Sequence, residues 1–188
     1  ETKDVHAILT HNNFVAERFF AQFLFEEPYN ETRSRKETDF SPKLSVRYEP
    51  TEDITYYATW AKAFKAGGFN EAAVAASNLE FEPEQAETIE AGTKMRLLNG
   101  LATLNVGLFT TDLDNLQVSL FNGTNFSVGN AASARSRGVE IESQVIPSPW
   151  LALNLSLAYL DARYKSFPDA QCIATSGETA CDLGGERL

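Results

Sequence analysis

Positive charge is scarce in this chain. Lys and Arg number 16 against 26 Asp and Glu, a net charge of -10. A protein that grips nucleic acid needs a basic face for the phosphate backbone, so nucleic acid is excluded as a partner. Long apolar runs are missing too, and no stretch reaches the length of a membrane helix. The opening Glu1-Thr2-Lys3-Asp4 lacks the apolar core of a signal peptide, so none is expected. Neither absence bears on a membrane β-barrel, whose strands are short and only half apolar. Cysteine is limited to Cys172 and Cys181, too few for a disulfide scaffold. A bond between them would close a short loop and fits an oxidising compartment. Histidine is limited to His6 and His11, in a polar stretch that does not favour metal ligation. G-x-S-x-G, Walker A and H-E-x-x-H motifs are lacking, and Asp112, Asp114 and Asn115 do not have calcium-loop spacing. The chain is therefore expected to be no enzyme, with no cofactor and no metal.

What is present is alternation. Leu151, Leu153, Leu155, Leu157 and Tyr159 interleave with Ala152, Asn154, Ser156, Ala158 and Leu160. Val139, Ile141, Ser143 and Val145 interleave with Gly138, Glu140, Glu142 and Gln144. Ile89, Ala91, Thr93, Met95 and Leu97 interleave with Thr88, Glu90, Gly92, Lys94 and Arg96. A period of two places each set on one face of a strand. The spacing predicts strands over 40–49, 54–64, 84–98, 101–121, 126–146 and 151–164. The stretch 14–25 reads as a helix by the spacing of Phe19, Phe20, Phe23 and Leu24, or almost as well as a strand dense in aromatics.

Connections alternate between short and long. Pro50-Thr51-Glu52-Asp53, Asn99-Gly100 and Pro147-Ser148-Pro149 read as tight turns. The stretch 65–83, the hairpin signal Asn122-Gly123 and the stretch 165–188 form the other set. Short turns thus gather at one edge of an antiparallel meander and long loops at the other, the asymmetry of an outer-membrane barrel.

Followed from its short turn, each apolar line runs to a first charge: Lys62, Glu87, Asp112, Arg137 or Asp161. Each span is roughly nine to twelve residues, the length of a tilted strand crossing hydrocarbon. Lys43, Arg47, Glu90, Lys94, Arg96, Glu140 and Glu142 all fall on the polar lines and are the expected lumen-facing charges. Arg or Lys at mid-membrane costs about 2–4 kcal/mol. A one-residue slip would turn the whole set to lipid at a cost on the order of ten kcal/mol. Pairing of Glu90, Glu140 and Glu142 with Lys94 and Arg96 across strands explains these carboxylates better than acid–base chemistry. Tyr48, Tyr56 and Trp150 near the short turns, with Trp60, Phe64, Tyr159 and Tyr164 near the long loops, form two aromatic girdles. Lys62 and Arg137, the first charges beyond the band, are candidate contacts for lipopolysaccharide phosphates, in competition with simple snorkelling.

Several segments then become familiar. Tyr57-Ala58-Thr59-Trp60 with Phe64-Lys65-Ala66-Gly67-Gly68-Phe69-Asn70, Phe81-Glu82-Pro83-Glu84 with Glu87-Thr88-Ile89-Glu90-Ala91-Gly92-Thr93-Lys94, and Asn130 to Glu142 resemble TonB-dependent outer-membrane receptors. The resemblance covers about 40–161. It implies an all-β transmembrane β-barrel, which in family members has twenty-two strands and an N-terminal plug; this chain departs from that pattern, with about six long antiparallel strands and no plug domain, so an open, curved part of a barrel is expected. The expected organisation is 1–39 as a divergent external loop or strand pair, 40–164 as partial barrel, and 165–188 as a truncated external loop. A chain with this pattern reads as a piece from the C-terminal half of a receptor. The resemblance further implies a bacterial outer-membrane location and import of ferric siderophores or similar scarce nutrients. Implied partners are outer-membrane lipid and lipopolysaccharide, the remaining strands and plug, and TonB through an N-terminal part not in this sequence. Phe69, Asn70, Phe121, Asn122, Asn125 and Phe126 are the loop residues expected to touch such a nutrient. Two alternatives share parts of the pattern: a passive porin, and a soluble β-sandwich binding module.

Overall fold

A computed structural model of the chain describes residues 2–8, 30–70, 79–121, 126–168, 170 and 181–188. The helix suggested over 14–25 lies outside them. Among the described residues ten strands follow one another: β1 (Thr2–Ile8), β2 (Asn30–Lys36), β3 (Lys43–Thr51), β4 (Ile54–Lys65), β5 (Gly68–Phe69), β6 (Glu80–Phe81), β7 (Glu84–Leu97), β8 (Ala102–Phe121), β9 (Phe126–Ser148) and β10 (Leu151–Ser166). Six of them form one antiparallel sheet in the order β3-β4-β7-β8-β9-β10, which is an open meander. β1 pairs with β2, and β5 with β6, as separate two-stranded ribbons.

The register carries the alternation across the whole sheet. Val46, Ala58, Ala91, Leu108, Val139 and Tyr159 stand side by side on one face. One residue along, Arg47, Tyr57, Gly92, Gly107, Glu140 and Ala158 stand side by side on the other. Strands of 9 to 23 residues exceed the five or six usual in globular sheets.

Among the described residues nothing packs on the apolar face. Leu44, Ile89, Leu108, Leu153, Leu155, Leu157 and Tyr159 are all more than half exposed. Among the described residues the buried hydrophobics are Leu79, Ala102, Ala132, Ala134, Phe167 and Ala170, and most lie at the loop end rather than in the sheet. A soluble sandwich would bury one face of each sheet against the other. Among the described residues this single layer has no such partner, which goes against the sandwich alternative, and lipid is the solvent that suits the face.

The short turns sit as expected, with local differences. β3 and β4 are joined through Glu52-Asp53. β3 starts at Lys43 rather than Phe40, because Pro42 has no N–H to offer the ladder and only accepts, from the Lys62 N–H at 2.9 Å. β7 and β8 are joined by Leu98–Gly100, where Leu98, Asn99 and Gly100 all adopt left-handed φ of 56°, 53° and 88°. Asn and Gly suit that region, which is how the pair signals the turn. β9 continues through Pro147 to Ser148, leaving Pro149-Trp150 as the turn.

At the opposite end β8 and β9 stay paired as far as Phe121 and Phe126. A bulge at Asn115 (φ 54°) shifts the register there. Leu116, Val118 and Leu120 then pack with Ala132, Tyr164, Phe167, Ala170 and Leu183 into a small cluster. Ala134, level with Leu113 and Tyr164, shares the face of Glu140, so the cluster lies on the inner side of the sheet's outer end. The segment after β10 turns back along it: Leu183 N–H donates to Phe167 C=O at 3.0 Å, Gly185 N–H to Tyr164 C=O at 2.8 Å, and Leu188 N–H to Ala162 C=O at 3.0 Å. Cys181 is disulfide-bonded; Cys172 lies outside the described residues.

Candidate functional site: the lumenal wall and its outer rim

The polar face bears a depression of about 390 Å³ lined by Tyr57, Glu90, Lys94, Asn105, Phe109, Glu140 and Glu142 among others. Glycine makes room for it. Tyr57 lies across from Gly92, where a Cβ would come within 2.5 Å of the Val106 carbonyl oxygen and 2.6 Å of the Tyr57 hydroxyl. Phe109 lies across from Gly138 in the same way, a Cβ there meeting its ring at 2.8 Å. Each aromatic ring is laid flat over a neighbouring glycine, a device that covers the exposed backbone of a strand. The Tyr57 hydroxyl donates to Glu90 at 2.8 Å, and Lys94 Nζ stands 5.9 Å from the centre of the Tyr57 ring.

Of the seven expected lumenal charges, Glu90, Lys94, Glu140 and Glu142 gather here. The expected cross-strand ion pairs do not form among the described residues. Asn105 stands between Lys94 and Glu142, so two strand spacings separate the charges. Arg96 instead pairs with Asp53 at 2.9 Å and donates to the Glu52 carbonyl at 2.8 Å, at the short-turn end. Arg47 pairs with Glu49 at 2.6 Å, and Lys43 lies on the edge strand. Three carboxylates are thus left around one ammonium group.

The loop residues divide. Asn122, Asn125 and the side chain of Phe121 lie outside the described residues. Phe126 is well exposed and Phe69 half-buried. Asn70 is buried, and its side chain behaves like a peptide group, donating to the Val128 carbonyl at 2.9 Å and accepting from its N–H at 2.8 Å. Asn130 does the same for Glu82, accepting from its N–H at 2.6 Å and donating to its carbonyl at 2.8 Å. Gln117 Nε2 is within reach of the carbonyls of Lys65, Ala66 and Glu82 at 3.4, 3.0 and 3.1 Å. Arg35 on β2 completes the knot, pairing with Glu37 and with Glu82 at 2.5 Å. Glu37 in turn accepts from the Gly67 N–H at 3.1 Å. The guanidinium of Arg35 holds the Glu82 carboxyl below the usual carboxylate range. Residues far apart in the chain meet here, so nothing in the local sequence of Arg35, Gln117 or Asn130 marks them.

On the apolar face the first charges form a rim. Lys62 pairs with Glu87 at 3.3 Å, beneath which Trp60 Nε1 also donates to Glu87 at 2.7 Å. Arg137 pairs with Asp161 at 3.0 Å.

This combination defines a section of barrel wall, lipid-facing on one side and charged on the other. The sequence model of the family described as TonB dependent receptor-like, beta-barrel, matches residues 11–188. The chain belongs to that family, whose members are outer-membrane proteins. It is 27% identical over 135 residues to the metal-pseudopaline receptor CntO of Pseudomonas aeruginosa, covering 71% of this chain and 18% of that protein. It is 29% identical over 105 residues to the probable TonB-dependent siderophore receptor PiuA of Acinetobacter baumannii, covering 52% of this chain and 14% of that protein. In fold it matches the crystal structure of the ferric yersiniabactin uptake receptor FyuA from Yersinia pestis, with a TM-score of 0.62 at 22% identity over 73% of this chain and 20% of that one. The chain therefore spans less than a fifth of the length of these curated relatives.

Proposed function

We propose that this chain is wall, lumen lining and outer loops of a receptor that imports ferric siderophores or a similar metal–chelator complex across the outer membrane. The observation that carries the reading is the family match over 11–188. It is supported by relatives named for a metal-pseudopaline complex and for siderophores. In this reading the plug of the same receptor fills the lumen. The depression bounded by Glu90, Glu140 and Glu142 has spare negative charge, which suits hydrogen-bond donors or cations from the plug. TonB acts through the plug, and Phe69, Phe121, Asn122, Asn125 and Phe126 are the loop residues assigned to contact with the incoming complex.

Deleting the gene in its host and measuring uptake of radiolabelled metal–chelator complexes tests this directly. Uptake of one such complex should fall, return with the intact gene, and vanish again when TonB is removed. Uptake that persists without TonB would favour the passive porin, and unchanged uptake of every complex would end the transport reading.

A further inference from the structure

Beyond the last rung between β4 and β7, Lys65 with Glu84, two hairpins rise from the outer end of the wall. One is the β5–β6 ribbon, where Gly68 faces Phe81 and Phe69 faces Glu80. The other is the end of β8–β9, paired as far as Phe121 and Phe126. They belong to different sheets, and among the described residues no ladder joins them. Side-chain amides join them instead. Asn70, just past β5, takes both the N–H and the carbonyl of Val128 on β9. Asn130, further along β9, takes both the N–H and the carbonyl of Glu82, just past β6. Both legs of the ribbon are thus stitched to one strand. Gln117 stands directly opposite Asn130 on β8. From there its amide spans the carbonyls of Lys65, Ala66 and Glu82, and its backbone N–H donates to the Glu84 carboxylate at 2.9 Å. Asn130 also holds the bulge beside Gln117, donating to the Asn115 carbonyl at 2.9 Å.

A side-chain amide that meets a peptide's donor and acceptor together stands in for a neighbouring strand. It differs in reach. Backbone pairing sets strands about 4.8 Å apart, whereas an intervening Asn side chain holds two backbones further apart at one fixed spacing. The hairpins are therefore clamped without being merged. Asn70 and Leu79 are both buried, which shields this end of the clamp from competing water. The Asn70 N–H donates to the Leu79 carbonyl at 2.8 Å, closing the ribbon where 71–78 leaves it.

We propose that Asn70, Gln117 and Asn130 are positioning residues that lock the β5–β6 ribbon and the β8–β9 hairpin into one preformed platform for the incoming metal–chelator complex. The proposal rests on the transport reading. It gives Asn70 a positioning role in place of the direct contact expected from the sequence. A preformed platform avoids the cost of ordering two loops separately when cargo arrives. Loss of the clamp therefore weakens capture and leaves the later steps of passage alone.

The test uses the full-length receptor and two independent readouts. The first is hydrogen exchange in the purified protein. Gln117→Met keeps the length of the side chain and removes its amide. It should lower protection of the Asn70 N–H, which Gln117 does not touch, by about tenfold. Asn130→Asp keeps the acceptor for the Glu82 N–H and loses the donor to its carbonyl, and should lower the same protection by a smaller factor. The second readout is concentration-dependent uptake by cells of ferric hydroxamate, ferric catecholate and ferric aminocarboxylate complexes. For a complex that the wild type imports, Gln117→Met should raise the half-saturating concentration about tenfold and keep the maximal rate within about twofold. A lower maximal rate at unchanged half-saturation, or unchanged protection at Asn70, would overturn the proposal and leave the amides as support for the wall alone. Wild-type cells that import none of the complexes would end the transport reading and the platform's role with it, while coupled exchange would still show that the clamp stands. If Gln117→Met does not reach the membrane, both measurements on Asn130→Asp decide.

Discussion

Glu82 shows how a single residue ties distant parts of the chain together. Its carboxylate meets Arg35, its N–H and carbonyl meet Asn130, and its carbonyl also meets Gln117. Because Arg35 lowers the folded-state pKa of Glu82, the tie is fully formed above the ordinary carboxylate range. It is lost as pH falls through the depressed value, while Arg35 stays charged throughout. In the intact receptor, the hydrogen-exchange protection factor of the Gly67 amide, held by Glu37 in the same knot, should fall over that acid window. Glu82→Gln should flatten the response, and a protection factor indifferent to pH in the unsubstituted protein would show that the ion pair does not hold the loops. At this scale the sequence was least legible. The charged and apolar lines announced which face each strand residue would take. They did not announce that Asn70 would be buried as a peptide mimic, or that Arg96 would turn to Asp53 rather than to a glutamate. Those outcomes depend on register between strands, which single-strand patterns do not contain.

At the scale of the element, β10 is the plainest strand. Leu155 points to the apolar side beside Ser143, and Ser156 to the polar side beside Glu142. Leu155→Arg near the middle of the band should destabilise the receptor by about 2–4 kcal/mol in lipid vesicles. Ser156→Arg gains Glu142 as a neighbour and should cost far less. Urea unfolding of the two variants checks this, and equal costs would reverse the assignment of faces. All six long strands were legible from period-two alternation and turn chemistry, with ends displaced by no more than three residues. The bulge at Asn115 was not legible, because Asp-Asn reads as an ordinary turn. Without it Leu116, Val118 and Leu120 would not share the inner cluster. The loop-facing candidates fared differently: Phe126 is exposed, whereas Asn70 is spent on Val128.

For the whole molecule, the exposed Leu-rich face and, among the described residues, the edges at β3 and at β10 before Ala162 set the behaviour of this stretch on its own. Unpaired edges and a contiguous apolar face both invite association. Expressed alone, residues 1–188 should aggregate in buffer and stay dispersed only in detergent, as analytical ultracentrifugation would show. A cooperatively folded monomer free of detergent would contradict the single-layer architecture.

The near-absence of interior side chains in the sheet has a further consequence, for how such a sequence ages. An ordinary core ties each residue to the shape of its neighbours, so a change at one place demands an answer at another. Here the outward residues rest against fluid hydrocarbon, which accepts Leu, Val, Ile or Tyr alike. Selection on that face acts on chemical type alone, while backbone pairing preserves the architecture. Divergence can therefore run far without loss of form, which accounts for a fold shared at a TM-score of 0.62 with only 22% of residues in common. Across lineages, outward positions should interchange freely among apolar residues, while Gly92 and Gly138, each pressed beneath a ring, should hardly vary.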